Sequence, residues 1–335
     1  MLIAAAVLLF CVPSCVRGTQ DPWHDGTPLR GAISLTGKDD TGRSLLCGYN
    51  YDLAKWFAHS SGRKAELRIA GRKEAILDSL KRGDLDIVIF PYLDSLETDS
   101  TLVSIPSDSC GIWVFSSSRE IEAQKAAEWQ KEFRSRPDYP IIRQPYFDIY
   151  NPMKRVSADF ISPYDSLLRA YADTLDWDWK LLAAMVYQES KFRIEARSPQ
   201  GAAGLMQLVP ATARHYGCHN PLDPEENIRA ATLMLLKVRE RYTKIAANSD
   251  ELTKYTLAAY NAGTGRLKDC ISFARHMGAD VSRWENVAAV IPEMKTGSVD
   301  SLSAIRHGRF HGGRETISYV RRVRAFHDRY IHICP

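Results

Sequence analysis

The chain of 335 residues lacks several features that mark large functional classes. It has no basic stripe with interleaved aromatic residues, and a net charge of +4 does not support nucleic-acid binding by itself. It has no Cys-x-x-Cys pair, and His215, Cys218 and His219 have no evident fourth partner for a closed metal site. The apolar run at 2–12 is too short to span a bilayer as a helix. We therefore predict no nucleic-acid partner, no metal and no cofactor.

The N-terminus has the pattern of an export signal. The apolar run leads into Val12-Pro13-Ser14-Cys15, which is similar to a lipobox, whose cysteine becomes the lipidated first residue of the mature protein. No basic residue precedes the run, so a plain secretory peptide is the alternative. We predict a signal at 1–15, a lipid anchor on Cys15 and a polar tether at 16–27.

The remaining cysteines leave their pairing open. Export makes disulfides possible, and five cysteines follow the signal, so at least one has no partner within the monomer. Two pairings respect the expected division into domains: Cys47 with Cys110, and Cys218 with Cys270.

Length and patterning predict two domains. Residues 28–150 alternate strand and helix patterns, and the apolar run at 87–90 is typical of a buried parallel strand, so an α/β domain is expected. Strands are predicted at 29–35, 66–70, 87–90 and 110–115, and helices at 48–60, 73–82 and 119–133. The stretch 139–156 lacks periodicity and holds the predicted boundary. Residues 151–335 are predicted to form an all-helical domain. Its helices are expected to start near residue 162 and at Asp223-Pro224, where Asp223 is the cap of a helix with an apolar stripe, with further helices at 253–260 and around Tyr319.

Glu189 ends an apolar helical pattern. Leu182, Val186 and Glu189 fall on one helical face, which should point into the protein, and Asp178 can cap the helix that carries them. Burial disfavours a charged carboxylate and raises its pKa. A carboxyl group that stays protonated near neutral pH can act as a general acid. A solvated surface glutamate is the alternative.

Four sequence blocks strengthen the catalytic interpretation of Glu189. They are Glu189-Ser190 with Ser198, then Gly201-Ala202-Ala203-Gly204-Leu205-Met206-Gln207, then Ala259-Tyr260-Asn261-Ala262-Gly263, and lastly Glu315-Thr316 with Tyr319-Val320. In type and order they resemble the goose-type-lysozyme-like lytic transglycosylases of the bacterial cell wall. One departure is Glu195, which stands where a proline is common in that family and puts the loop shape in doubt.

The resemblance implies a lysozyme-like domain and a set of site residues. Glu189 would be the catalytic acid and base in cleavage of peptidoglycan glycan strands, with 1,6-anhydro ends as products. Glu315 would make a hydrogen bond with Tyr319 or orient the site, or it would be an acid favoured by the helix dipole. The substrate-binding residues would be Ser198, Met206, Gln207, Tyr260 and Asn261. Loop capping is the alternative for Ser198, and core packing for Met206.

The N-terminal part resembles the first lobe of amino-acid-binding periplasmic solute-binding proteins. The matching segments are 48–54 and 80–88. The ligand-gripping Thr and Arg and a second lobe are missing, so a truncated lobe with a docking role, toward a cell-wall peptide or a protein, is expected. A binding lobe followed by a catalytic domain is similar to the membrane-bound lytic transglycosylases of type F. Such a protein would lie at the periplasmic face of the outer membrane.

Two other functions remain open on the sequence. A hydrolytic lysozyme would need a second carboxylate to activate water, for which Glu315 and Asp223 are available. The second is a cell-wall binding or sensing protein with an inactive lysozyme-like domain. Absence of the catalytic glutamate would favour it, but Glu189 is present.

Overall fold

A computed structural model describes residues 26–34, 45–70, 72–91, 96–107, 111–147, 161–296 and 299–334. The predicted signal with Cys15 and most of the predicted tether lie outside these ranges, as do Cys110 and the predicted boundary at residue 150. The described chain forms a mixed α/β region followed by a helical region. Within these ranges no helix combines the length and the hydropathy needed to cross a membrane.

The α/β region is built on a five-stranded sheet of order β2-β1-β3-β5-β4. Strand β1 pairs in parallel with β2 and β3, while β5 is antiparallel to both β3 and β4. The strands are β1 Leu29–Ser34, β2 Ala65–Ala70, β3 Ile87–Phe90, β4 Leu102–Pro106 and β5 Ile112–Ser116.

Both faces of the sheet are covered, which explains the continuous apolar run of β3. Ile87 and Ile89 belong to the main core cluster, whereas Val88 and Phe90 belong to a smaller cluster that also contains Leu80. The helices are α1 Leu46–Ser60, α2 Lys73–Lys81 and α3 Glu120–Arg134.

Two elements of this region were not predicted. Strand β4 lies at the sheet edge and buries only Ile105, so its sequence carries no clear alternation. Residues Tyr139–Phe147 form helix α4, although the sequence of this stretch shows no clear periodicity. Tertiary packing supports α4: the ring of Tyr146 lies 5.5 Å from that of Tyr49, and the Leu45 N–H donates to the Tyr146 carbonyl at 2.7 Å.

The helical region contains eight α-helices among its described residues. Asp178 caps α6, and Asp223 accepts two backbone N–H bonds at the start of α8, as their sequence positions predict. The helices α7, α10 and α11 were not predicted. The elements are α5 Asp165–Leu175, α6 Trp179–Ser190, α7 Pro210–His215, α8 Pro224–Tyr242, α9 Ser249–Ala262, α10 Thr264–His276, α11 Trp284–Val290 and α12 Gly313–Ile333.

Cys47, Cys218 and Cys270 are buried free thiols. Cys218 and Cys270 are not paired with each other, which corrects the candidate disulfide, and Cys47 is free as well. Burial raises the pKa of Cys218 to about 11 and that of Cys270 to about 12, so both stay protonated at neutral pH.

Candidate active site

Glu189 lies in the last turn of α6, where the helix leaves the core. Leu182 and Val186 on the same face are fully buried. The helix ends at Lys191, which adopts a left-handed conformation with φ of 55°. This exit leaves the Glu189 side chain half-buried at the edge of the core, as its position on the apolar face predicts.

The surroundings of Glu189 favour its protonated form. The Tyr319 hydroxyl on α12, itself buried, donates to Glu189 Oε1 at 2.6 Å. Burial raises the pKa of Glu189 from 4.5 to about 7, while the Tyr319 hydrogen bond and the charge of Lys191 act in the opposite direction. The group therefore exchanges protons near neutral pH, as a residue that acts first as an acid and then as a base must.

A cavity of about 350 Å³ opens beside Glu189. Among the described residues that line it, Glu189 is the only carboxyl group. The predicted residues Ser198, Gln207, Tyr260 and Asn261 share this lining with Gln200, Ala202, Leu208, Val209, Thr212 and Met234. The structure thus brings together residues that lie far apart in sequence.

Hydrogen bonds within the loop at 195–208 fix two of these residues. Gln207 Nε2 donates to the carbonyls of Ala196 and Gly204, both at 2.9 Å. Ser198 Oγ accepts from the Ala202 N–H at 3.1 Å, which is the loop-capping role held open for it. Contact of either side chain with a substrate stays a prediction.

Asn227 on α8, for which the sequence predicted no role, fixes this loop to α8 through hydrogen bonds. It is fully buried; its Oδ1 accepts from the Met206 N–H at 2.8 Å, and its Nδ2 donates to the Ala203 carbonyl at 3.1 Å. Gly204 has φ of +80°, and a Cβ there would lie 2.2 Å from the Pro221 carbonyl, so the close approach requires glycine. The sequence signal for this role was the position of the Asn227 amide side chain next to the apolar stripe of α8.

The structure places two of the predicted residues outside the cavity lining. Met206 is fully buried in the core and does not line the cavity; its contribution is a backbone carbonyl that accepts from the Tyr260 hydroxyl at 2.7 Å. Glu315 is exposed in the first turn of α12, and the Tyr319 hydroxyl bonds to Glu189 instead of Glu315.

Thr316 is a second residue to which the sequence assigned no role. Its hydroxyl donates to Asn261 Oδ1 at 2.9 Å. The same α12 therefore contacts two parts of the cleft, Glu189 through Tyr319 and Asn261 through Thr316. The sequence signal was present, since Thr316 and Tyr319 both lie in the fourth block.

Residues 166–281 match the family model of the Transglycosylase SLT domain. Glu189 and all the cavity-lining residues lie inside the matched span.

The individual relatives give a more particular resemblance. Membrane-bound lytic murein transglycosylase F of Desulfosudis oleivorans is 31% identical over 191 residues, which are 57% of this chain and 39% of the relative. The protein of the same name from Marinobacter nauticus is 29% identical over 259 residues, covering 75% of this chain and 50% of the relative. The chain spans about half or less of the length of these relatives. The predicted resemblance to the type F proteins is confirmed.

Solved structures of lytic transglycosylases also match part of the chain. The 70 kDa soluble lytic transglycosylase of Escherichia coli superimposes with a TM-score of 0.38 and 20% identity, covering 64% of this chain and 34% of that one.

Proposed function

We propose that this protein is a peptidoglycan lytic transglycosylase. It cleaves the β-1,4 bond between N-acetylmuramic acid and N-acetylglucosamine and leaves 1,6-anhydro ends. The observation that carries the proposal is Glu189, whose pKa burial raises to about 7 and which is the only carboxyl group among the described residues lining the cleft. The match to the SLT domain and the names of the relatives support the same activity.

One group serves both steps of the proposed reaction. Protonated Glu189 gives its proton to the glycosidic oxygen as the bond to C1 breaks. The Glu189 carboxylate then removes the proton from the muramyl C6 hydroxyl, whose oxygen attacks C1 and closes the anhydro ring. The substrate supplies the nucleophile, so the second carboxylate of most glycosidases is not needed. The Tyr319 hydroxyl holds the carboxyl group in place throughout.

The other cleft residues would bind the sugar without adding charge. Ser198, Gln207 and Asn261 offer hydroxyl and amide groups, and Tyr260 lines the same cavity as Glu189. Such neutral dipoles can stabilise an oxocarbenium-like transition state while leaving the pKa of Glu189 high.

A hydrolytic lysozyme is less well supported. Asp223 is held by Lys55 Nζ at 2.8 Å and caps α8, and Glu315 is exposed. Neither lines the cavity beside Glu189. A carboxylate that activates water would have to face the sugar there.

Mass spectrometry of muropeptides released from purified peptidoglycan tests the proposal. The native chain is expected to release products with anhydro ends. Products with reducing ends alone would assign the chain to the hydrolases, and no products at all would favour a binding or sensing protein.

The proposed activity fits a protein of the cell envelope. The relatives are named membrane-bound, and we propose a lipid on Cys15 as the anchor, at the periplasmic face of the outer membrane. Recovery of the expressed chain in membrane fractions, with a lipid on the peptide that begins at Cys15, is the expected result. Recovery as a fully soluble protein with an unmodified N-terminus would contradict the anchor.

For residues 28–150 we propose a truncated solute-binding-protein-like lobe that docks or positions the enzyme rather than trapping a free amino acid. One lobe alone buries little of a small ligand. Calorimetric titration of the full chain with free amino acids should give no micromolar binding. Such binding would reveal a pocket and contradict the docking role, whereas a weaker, selective response to cell-wall peptides would support a peptide partner.

A further inference from the structure

Helix α1 of the α/β region turns one stripe of side chains toward the helical region. Cys47, Tyr51 and Lys55 follow each other at steps of four residues, so they lie along one face of the helix. We call these three residues the α1 stripe. Each of them contacts a residue beside the loop at 195–208 or at the start of α8.

Tyr51 and Lys55 both bind Asp223. Lys55 Nζ lies 2.8 Å from Asp223 Oδ2, and the Tyr51 hydroxyl donates to the same oxygen at 3.2 Å. Asn220 Nδ2 donates to the Tyr51 hydroxyl at 3.3 Å. The other oxygen of Asp223 caps α8 by accepting two backbone N–H bonds. One carboxylate thus joins α1 to the first turn of α8.

The first turn of α8 is directly connected to the cleft loop. The Asn227 N–H donates to the Asp223 carbonyl at 3.0 Å, and the Asn227 side chain holds Ala203 and Met206. Gly204 packs so closely on Asn227 that a Cβ would lie 2.3 Å from Nδ2. Because these contacts leave no free space between α8 and the loop, a shift of the α8 cap moves the loop as well.

Cys47 makes the second contact, at the beginning of the loop. Its thiol is fully buried, and burial together with the negative charge of the Glu195 carboxylate raises its pKa. Glu195 is itself buried and pairs with Arg193 at 2.6 Å. The next residue, Ala196, gives the carbonyl that binds the Gln207 amide.

We propose that the α1 stripe is a positioning element for the cleft loop, which it holds at Glu195 and, through Asp223 and Asn227, at residues 203–206. The inference rests on the proposed function for its effect on catalysis, because Ser198 and Gln207 of this loop line the cleft beside Glu189. An ordinary contact between regions would stabilise the chain without changing the order of this loop.

The test uses the full chain with Lys55→Met and a matched control. Lys81→Met breaks an ion pair of the same length, Lys81 with Asp99 at 2.8 Å, with a similarly exposed lysine and no connection to the loop. Amide hydrogen exchange at Ala203 and Met206 reports loop order. Steady-state kinetics on purified peptidoglycan reports catalysis.

Lys55→Met is expected to speed exchange at Ala203 and Met206 and to lower kcat/KM, each by about two- to tenfold, since coupling through such contacts is modest. Lys81→Met should change neither. Lys55→Arg, which keeps the cation, should restore both. Asp223→Asn keeps the cap of α8, so its double variant with Lys55→Met should be no worse than the stronger single variant.

The contact at Cys47 is tested by two substitutions. Cys47→Ser keeps a donor for Glu195 and should preserve exchange and kcat/KM, whereas Cys47→Ala should change both. The proposal is overturned if Lys55→Met matches Lys81→Met in exchange and kinetics. If the native chain releases no muropeptides, the proposed function fails, and the exchange measurements alone decide the role of the α1 stripe.

Discussion

The two regions of the molecule each hold a half-buried carboxyl group that accepts a hydrogen bond from a tyrosine hydroxyl. In the helical region Tyr319 donates to Glu189, and in the α/β region Tyr146 donates to Asp52. Burial raises the pKa of Glu189 to about 7 and that of Asp52 to about 6. By these two criteria the groups look alike.

They differ in what lies beside them. Glu189 lines a cavity together with hydroxyl and amide groups, whereas Asp52 does not line that cavity and lies on α1 near Lys55 and Asp223, where the two regions meet. A raised pKa shows that a carboxyl group is buried, and structural groups meet that condition as well. Access to an open cleft is what distinguishes the catalytic candidate.

The largest expected effect is that of Glu189→Gln. Loss of the only carboxyl group among the described residues that line the cleft should lower the release of anhydro-muropeptides by about 10²–10⁴-fold, the range for general acid–base catalysis. Assays of released muropeptides should be run beside Glu128→Gln, which removes an exposed carboxylate on α3 and should keep native activity. Activity of Glu189→Gln within a few-fold of native would end the single-acid mechanism.

A smaller effect is expected for Tyr319→Phe. The variant loses the hydrogen bond that orients Glu189 and lowers its pKa. We expect kcat to fall by roughly tenfold, in keeping with the loss of one hydrogen bond to an ionisable group. Because the protonated form of Glu189 then persists to higher pH, the basic limb of the pH–rate profile should shift to higher pH. A limb that stays in place would mean that Tyr319 does not tune Glu189.

The pH dependence of the unfolding free energy should distinguish Glu189 and Asp52 from ordinary surface acids. A pKa raised in the folded state gives stability that is present at low pH and lost as pH rises through the folded value. For Glu189 this loss runs from about pH 4.5 to about pH 7, and for Asp52 from about 3.8 to about 6. Glu189→Gln and Asp52→Asn should each flatten the fall of unfolding free energy in its own window, measured by denaturant titration at several pH values. An unchanged pH dependence in both variants would contradict the burial argument.

The smallest effect on catalysis is expected for Asp52→Asn. The asparagine keeps an acceptor for Tyr146, and Asp52 has no place in the proposed chemistry, so turnover should stay within about twofold, typical of a conservative change outside the reacting groups. A loss of turnover comparable to that of Glu189→Gln would remove the distinction drawn between the two groups.

The parts of the site that could be predicted rest on local sequence. Asp178 and Asp223 cap their helices through bonds to residues two or three positions away, and Glu189 follows from the period of its own helix. The burial of Met206 and the partner of the Tyr319 hydroxyl, which is Glu189 and not Glu315, could not be predicted, because both depend on contacts between elements that are distant in sequence. The role of Asn227 depends likewise on a loop more than twenty positions earlier.

The fold shows the same division. Strands β1 and β3 and the helices α1, α2 and α3 were predicted from their own patterns. Strand β4 buries one side chain and was missed, whereas β2, the other edge strand, also buries one and was predicted, so burial does not explain this difference. Helix α4 was missed because its support comes from Tyr49 on α1 and from Leu45 just before α1. Local pattern fails for α4 because a partner elsewhere in the chain supplies the stability.

Digestion of purified peptidoglycan in water enriched in heavy oxygen tests the central claim most directly, because it asks whether water or the C6 hydroxyl attacks C1. If Glu189 acts alone as acid and base, mass spectrometry should find anhydro-muramyl ends that carry no heavy oxygen. New reducing muramyl ends, in excess of those in an undigested sample kept in the same water, would show that water is the nucleophile and would contradict the proposed mechanism.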